Sequence, residues 1–214
     1  MARVLCLHGL GGTGATMWPL VAALGQAGHV VHAPTLPGHG SAPDDLVGIE
    51  WSTWLDAALD WPADVVVGQS MGGALALDVG ARGACRAVVA INSPAPDPDA
   101  VDGLEWRLSR GHEWTQDTPV FPGETAYTRL PTSALLAMAS GIVSIDLGAV
   151  ICPVLLVSSR HDEVVEPASA SVIAAALGGP VHRVTLEHGS HVATLDADRA
   201  RLCTAVETFL RTAM

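Results

Sequence analysis

A serine flanked by glycines lies between two predicted elements in the first half of the chain. The pattern is Gly68-x-Ser70-x-Gly72. It follows an apolar, valine-rich run at 63–67 that predicts a buried strand, and it precedes a segment that favours a helix. A serine on such a tight strand-to-helix turn is exposed above the sheet, and its neighbours must be nearly free of side chains. This context favours Ser70 as a nucleophile over an incidental serine in a glycine-rich turn.

Two later loops carry side chains that could activate this serine. Asp162 follows a predicted strand at 153–158, and His191 follows another at 181–186. A serine hydroxyl needs a base, and a histidine with an ordinary pKa of about 6.5 can accept its proton near neutral pH. The histidine in turn needs a carboxylate that fixes its tautomer. Ser70, Asp162 and His191, which follow three different predicted strands in this order, are therefore predicted to form a catalytic triad.

Neighbouring side chains leave alternatives for the acid and the base. His188 lies three residues before His191, and either could be a loop histidine in solvent. Glu163 and Glu166 lie close to Asp162 in the sequence and could replace it as the acid, or all three could be surface carboxylates.

Metal and phosphate binding are the other chemistries that these loops could support. The possible metal ligands are His161, Asp162, His188 and His191. Their H-x-x-H spacing falls in a loop and not on one face of a helix, which disfavours a metal. The glycine-rich loop at 8–14 could cradle a phosphate, but its spacing does not match the dinucleotide-binding fingerprint. We predict no metal and no organic cofactor.

Negative charge that develops on a substrate near Ser70 would need backbone donors. The N–H of Met71, at the start of the predicted helix, can face an oxyanion there. A second donor is expected from the loop after the first strand, where Gly9 lets the chain turn and the N–H of Leu10 can point inward. Three further histidines are expected to shape the mouth of the site: His8, His32 and His39.

The elements that must position these loops alternate along the chain. Apolar runs that predict strands cover 4–7, 29–32, 63–67, 87–91, 153–158 and 181–186. Helical spacing is found at 17–27, 51–59, from 74 onward, and at 132–145, 167–177 and 197–210. This alternation predicts a mostly parallel sheet with helices on both faces. Loops that follow parallel strands share one edge of the sheet, where ligands bind.

Residues 93–149 interrupt the alternation. The segment opens at 94–98 with a stretch too rich in proline for a strand or helix, and its apolar pattern stays irregular up to about Pro131. A helix is predicted only after that point. We interpret 93–149 as a small helical cap inserted over the site, where the substrate is expected to bind. Residues 1–92 and 150–214 then form the core of a single domain.

Composition and charge limit the partners and the location. The 214-residue chain has a formal net charge of -11, which disfavours nucleic acid and anionic membranes as partners. No apolar run approaches the ~18 residues of a membrane span. The four cysteines are scattered, which suits a reducing cytosol. Since a recognisable motif begins at His8, no signal peptide is expected, and the predicted location is cytoplasmic.

In these motifs the chain resembles the α/β-hydrolase superfamily, and within it the small bacterial carboxylesterases and monoacylglycerol lipases. The resemblance is carried by residues 8–12, 32–40, 68–73, 159–165 and 190–196. It implies an α/β-hydrolase fold with a small helical cap at 93–149. It assigns the nucleophile, acid and base to Ser70, Asp162 and His191. It assigns the oxyanion donors to the backbone N–H groups of Leu10 and Met71.

The resemblance also implies a function. We expect a serine hydrolase of the carboxylesterase or monoacylglycerol lipase type, acting on small-molecule esters with short to medium acyl chains through an acyl-enzyme. A thioesterase, or another acyl hydrolase, would use the same triad. Outside the enzymes, the alternative is a binding protein of this fold with an idle triad, and the intact set of catalytic residues disfavours it.

Overall fold

A parallel six-stranded sheet forms the centre of the computed structural model, which describes residues 1–115 and 120–213. The strands are β1 (Arg3–Leu7), β2 (Val30–His32), β3 (Val65–Gln69), β4 (Ala87–Ile91), β5 (Val154–Ser159) and β6 (Val181–Leu186). Their order across the sheet is β2-β1-β3-β4-β5-β6. The order in which the strands are added therefore reverses between β1 and β3, and ligands bind at such switch points in parallel sheets. The loops that carry Leu10 and Ser70 meet there.

Helices cover both faces of this sheet, as predicted. They are α1 (Trp18–Gln26), α2 (Trp51–Leu59), α3 (Met71–Ala81), α4 (Pro98–Ser109), α5 (Thr132–Ser144), α6 (Ser169–Ala176) and α7 (Arg199–Ala213). Short 3₁₀ turns lie at Gly14–Met17, Pro43–Leu46 and Leu147–Ala149. Most of these bounds lie within about two residues of the sequence-based ranges, which is the usual uncertainty of helix ends.

The alternation of side chains along each strand produces two cores. In β1, Val4 and Cys6 pack toward α1 and α7, whereas Leu5 and Leu7 pack toward α2 and α3. The side chains of all four residues are fully buried. Because both faces of each central strand are covered, these strands read as continuous apolar runs rather than as an alternating pattern. The sheet edge that bears the loops is thereby held between two packed layers.

Residues 94–97 are irregular as predicted, but the expectation that no helix precedes about Pro131 is wrong, because α4 begins at Pro98. Pro98 occupies the first helical position, where the missing N–H costs no hydrogen bond. Asp97 caps the helix, since its Oδ1 accepts the N–H groups of Asp99 at 3.1 Å and Ala100 at 3.2 Å. No side chain of α4 is buried, which explains why it shows no apolar stripe. The Asp97-Pro98 pair was the signal that could have predicted it.

The segment between β4 and β5 contains α4 and α5, which pack against each other. Helix α5 also contacts α2 and α3, and Gly141 lies so close to Trp51 that an added Cβ would overlap the indole ring. Helix α5 is thus firmly seated on the core, with α4 outside it. Residues 116–119 of the predicted cap lie outside the described residues. The division into core and cap remains a prediction.

Candidate active site

Ser70 occupies a sharp turn between β3 and α3. Its φ of 56° and ψ of -122° lie in a region that a non-glycine residue rarely adopts, at a cost of about 1–3 kcal/mol. The surrounding structure holds it there, because its N–H donates to the carbonyl of Ile91 at 2.9 Å and its carbonyl accepts from Gly73 at 2.9 Å. A Cβ at Gly68 would overlap the backbone of Gly72, and one at Gly72 would overlap that of β1. The turn therefore requires glycine at both positions.

Ser70 and His191 line the same cavity, which has a volume of about 150 Å³. Much of its wall is apolar or aromatic, and these lining residues are Phe121, Tyr127, Leu130, Leu135, Met138 and Val164. Apolar walls with a few convergent polar groups are typical of sites for small molecules. The segment between β4 and β5 supplies most of these residues.

Asp162 and His191 form a buried pair. Nδ1 of His191 lies 2.9 Å from Oδ2 and 3.0 Å from Oδ1 of Asp162, and the two side chains are 9% and 2% exposed. Oδ1 also accepts the N–H groups of Val164 and Val165 at 2.9 Å each, so the loop itself orients the carboxylate. With Nδ1 donating to Asp162, Nε2 is the ring nitrogen that can accept a proton.

The alternative acids and bases lie at the surface. His188 is exposed, and its N–H donates to Asp198 at 2.7 Å. Glu163 and Glu166 are also exposed. His161, which would have been part of a metal site, is exposed as well. The structure thus brings His191, and not these neighbours, to the carboxylate of Asp162.

The loop after β1 forms a tight turn beside Ser70. The N–H of Gly12 donates to the carbonyl of Gly9 at 3.1 Å, and Gly11 has a φ of 80°. This combination matches a type II turn, whose third residue needs a positive φ. A Cβ at Gly9 would lie 3.2 Å from that of Ser70, and Leu10 lines the cavity. The turn's own hydrogen bond uses the N–H of Gly12 and does not involve that of Leu10.

Met71 occupies the first position of α3, directly after Ser70. Its side chain is fully buried in the core. The first N–H groups of a helix have no partner within the helix, and they form its positive end. The backbone of Met71 is therefore suited to a negative charge beside Ser70.

His8 anchors the turn at Gly9. The N–H of Leu36 donates to Nε2 of His8 at 3.0 Å, so the ring proton must be on Nδ1, which donates to the carbonyl of Gly9 at 2.8 Å. His8 is fully buried, and this burial lowers its pKa from 6.5 to about 3, with a smaller lowering from His39 and an opposing effect of the Gly9 bond. His8 is thus a neutral structural link between two loops.

The other two histidines expected at the mouth differ in position. His39 is buried, with its ring 4.9 Å from that of His8 and stacked on Tyr127 at 6.4 Å. His32 is exposed beside Trp61, with a ring separation of 5.3 Å. Of the three, His8 and His39 pack against each other next to the turn at Gly9, whereas His32 packs against Trp61.

The burial of His8 leads to a pH-dependent stability. Because its pKa is about 3 in the folded chain, only the unfolded chain binds this proton between there and about pH 6.5. The contribution of neutral His8 to the free energy of unfolding is therefore fully present above pH 6.5 and is lost as the pH falls. From about pH 7 to pH 5, His8 alone should lower the free energy of unfolding by about 2 kcal/mol.

Urea unfolding of the wild type and His8→Asn at both pH values measures this effect. Burial also lowers the pKa of His39, but that contribution is present in both proteins. The substitution should therefore reduce the pH-dependent loss by about 2 kcal/mol. An equal loss in the two proteins would contradict the account of His8.

Three polar residues of this region were not singled out from the sequence. Glu124 is half-buried in the cavity, where desolvation raises its pKa against the opposing effects of the Phe121 N–H and His191. It lies in an irregular segment, so no periodic signal could have indicated it. Gln69 and Asn92 lie at the carboxyl ends of β3 and β4, and both are buried. A polar residue at the end of a parallel strand was the available signal for these two.

A group of metal ligands or a helix that could span a membrane would also bear on the function of this chain. Within residues 1–115 and 120–213, no three His, Cys, Asp or Glu side chains are grouped as metal ligands. Of the helices in this part of the chain, none is both long and apolar enough to cross a membrane.

Comparison with known proteins agrees with this fold. A family model described as the Alpha/beta hydrolase family matches residues 4–205. A thermostable monoacylglycerol lipase from Bacillus sp. (strain H-257) is 30% identical over 213 residues, which cover 92% of this chain and 85% of the relative. A carboxylesterase from Bacillus subtilis (strain 168) is 24% identical, with coverages of 97% and 91%.

A solved structure gives the same result in three dimensions. It is described with LipS and LipT, two metagenome-derived lipolytic enzymes, and it matches with a TM-score of 0.88 and 28% identity. The match covers 98% of this chain and 93% of that one. The family model spans the loops that carry Ser70, Asp162 and His191. The chain therefore belongs to the alpha/beta hydrolase family.

Proposed function

We propose that this chain is a serine hydrolase that cleaves carboxylic esters through a triad of Ser70, His191 and Asp162. It is a carboxylic ester hydrolase of the esterase and lipase type, like its relatives named as a monoacylglycerol lipase and a carboxylesterase. The observation that carries the mechanism is the buried Asp162–His191 pair, whose histidine lines the same cavity as the strained Ser70.

The reaction would proceed in two halves. Nε2 of His191 takes the proton of Ser70 as Oγ attacks the ester carbonyl, and the resulting oxyanion accepts from the N–H groups of Leu10 and Met71. His191 then protonates the departing alkoxide, which leaves as an alcohol and gives an acyl-enzyme. Water, deprotonated by His191, attacks the acyl group, and protonation of Ser70 releases the carboxylic acid.

The size of the cavity supports short to medium acyl chains. A cavity of about 150 Å³ holds a molecule the size of benzene, so the space at Ser70 takes roughly six carbon atoms. A second cavity of about 470 Å³ lies between α4, α5 and α6. The two cavities share Leu135, Met138 and Val164. An acyl chain that outgrows the first cavity would pass these side chains into the second.

Hydrolysis of p-nitrophenyl esters from acetate to laurate tests the proposed function. We expect oxygen esters to be hydrolysed with an optimum at an intermediate chain length, between butyrate and octanoate. N-acetylcysteamine thioesters with the same acyl chains distinguish an esterase from a thioesterase. Faster turnover of the thioesters would instead indicate a thioesterase, which uses the same triad.

A change at the passage between the cavities should shift this optimum. Octanoate has about two carbons more than the first cavity holds, and each buried CH₂ contributes about 0.8 kcal/mol. Met138→Trp should block the second cavity to these carbons and so lower kcat/KM for octanoate at least about tenfold relative to acetate. Val143→Trp is the matched control, since Val143 lies on the same helix but is exposed. An unchanged profile in Met138→Trp would contradict this path for the acyl chain.

A further inference from the structure

Asn92 directly follows β4 and has an unusual backbone conformation. Its φ is 46°, a value that favours glycine and that asparagine tolerates better than most residues. Its N–H donates to the carbonyl of Val157 at 2.8 Å, which continues the pairing of β4 with β5. Its side chain is buried, with the residue only 4% exposed. A buried polar residue with a strained backbone beside a candidate active site is a candidate for a functional role.

Both polar atoms of the Asn92 amide are used. Oδ1 accepts the N–H of Ser159 at 2.8 Å. Nδ2 donates to the carbonyls of His191 at 2.8 Å and Ser190 at 3.1 Å, and to Oγ of Ser159 at 3.0 Å. Since a backbone N–H can only donate and a carbonyl can only accept, these partners fix which end of the amide is oxygen. The side chain therefore has one defined orientation.

These partners belong to the two loops that carry the acid and the base. Ser159 is the last residue of β5, and its carbonyl lies 3.4 Å from the N–H of Asp162. Ser190 and His191 belong to the loop after β6. Ile91, which precedes Asn92, accepts the N–H of Ser70 with its carbonyl at 2.9 Å. Asn92 thus lies where the loops of all three proposed triad residues meet.

We propose that Asn92 is a positioning residue, which fixes the main chain of His191 relative to Asp162 and Ser70. This inference rests on the proposed triad. The Asp162–His191 contact alone would let the two side chains shift together, whereas the Asn92 amide ties the His191 carbonyl to a central strand. Gln69 supports the same loop further along, since its Oε1 accepts the N–H and hydroxyl of Thr194 at 3.3 Å each.

Loss of this tie should affect the chemical step more than substrate binding. A displacement of a catalytic group by about 1 Å can lower a rate by about 10²-fold. The walls that would hold the acyl chain come mainly from other segments, among them Leu135 and Met138. A defect at Asn92 should therefore lower kcat while KM changes little.

Asn92→Gly is the sharpest test, because glycine adopts a positive φ without strain and the substitution removes the side chain that carries the amide. We expect kcat for p-nitrophenyl butyrate to fall by about 10- to 100-fold, with KM within about threefold of the wild type. Labelling of Ser70 by a fluorophosphonate should slow by a similar factor. The low-field proton resonance of His191 Nδ1–H should broaden or shift in the NMR spectrum.

Asn92→Asp provides a second variant of nearly the same shape. Its carboxylate can still accept from Ser159, but it cannot donate to the carbonyls of Ser190 and His191, so kcat should again fall. The control for stability alone is Trp51→Phe, which removes a buried hydrogen bond of 2.8 Å to Asp78 in the core. This control should lower the stability and leave kcat unchanged.

The outcomes separate this inference from the proposed function. If kcat of both Asn92 variants stays within about threefold of the wild type, or if only KM changes, Asn92 does not position the base. If Asn92→Gly does not fold, Asn92→Asp decides. Turnover that persists in Ser70→Ala would instead overturn the proposed function itself.

Discussion

Replacing Ser70 by alanine should lower the turnover of p-nitrophenyl esters by at least about 10⁴-fold. Without the hydroxyl no acyl-enzyme can form, and only substrate binding and oxyanion stabilisation remain. The fold should persist, because alanine keeps the Cβ and meets the same backbone strain as Ser70 at a φ of 56°. Steady-state kinetics and circular dichroism of the variant measure both parts of this expectation.

Ser93→Ala is the matched control for this substitution. Ser93 is buried and lies against Gly73, close to the same turn. Among the described residues, its hydroxyl has no hydrogen-bond partner. Its removal should leave turnover near the wild-type level. A large loss in Ser93→Ala together with an active Ser70→Ala would contradict the assignment of the nucleophile.

Replacing Asp162 by asparagine should lower kcat by about 10⁴-fold with little change in KM. The backbone N–H groups of Val164 and Val165 donate to Oδ1, so the amide oxygen of the asparagine should take that position. The NH₂ group then faces Nδ1 of His191 and forces it to accept. The ring proton moves to Nε2, which can no longer act as a base toward Ser70.

The exposed acids near Asp162 supply the controls for this second substitution. Glu163→Gln and Glu166→Gln change the same loop or its continuation, but both side chains are exposed. Their turnover should match that of the wild type. Should either of them lose activity while Asp162→Asn keeps it, the acid of the triad would have to be reassigned.

The fold could be predicted from the sequence because its determinants are local. Buried strands such as β3 and β4 read as short apolar runs, and the tryptophan-bearing helix α2 shows its buried face at 51–59. Parallel topology then brings the loops after β3, β5 and β6 to one edge of the sheet. Together with the motif around Ser70 and the family resemblance, that rule predicts that Ser70, Asp162 and His191 lie near each other.

Other features depend on long-range contacts that no local pattern encodes. Helix α4 was missed because it buries no side chain. The Asn92 amide bonds to residues 67 to 99 positions away in the chain, and Gln69 bonds to Thr194, 125 positions away. Glu124 reaches the cavity from an irregular segment. The sequence indicates the chemistry of such residues, but only the fold shows their partners.

Covalent labelling of the folded enzyme tests the central claim, that Ser70 is the nucleophile, most directly. The wild type would be treated with a fluorophosphonate and analysed by intact mass and peptide mapping. We expect a single adduct, located on Ser70 and absent from Ser70→Ala, with loss of esterase activity in proportion to labelling. An adduct on another residue that abolishes activity, or full activity in a wild type labelled at Ser70, would contradict the account.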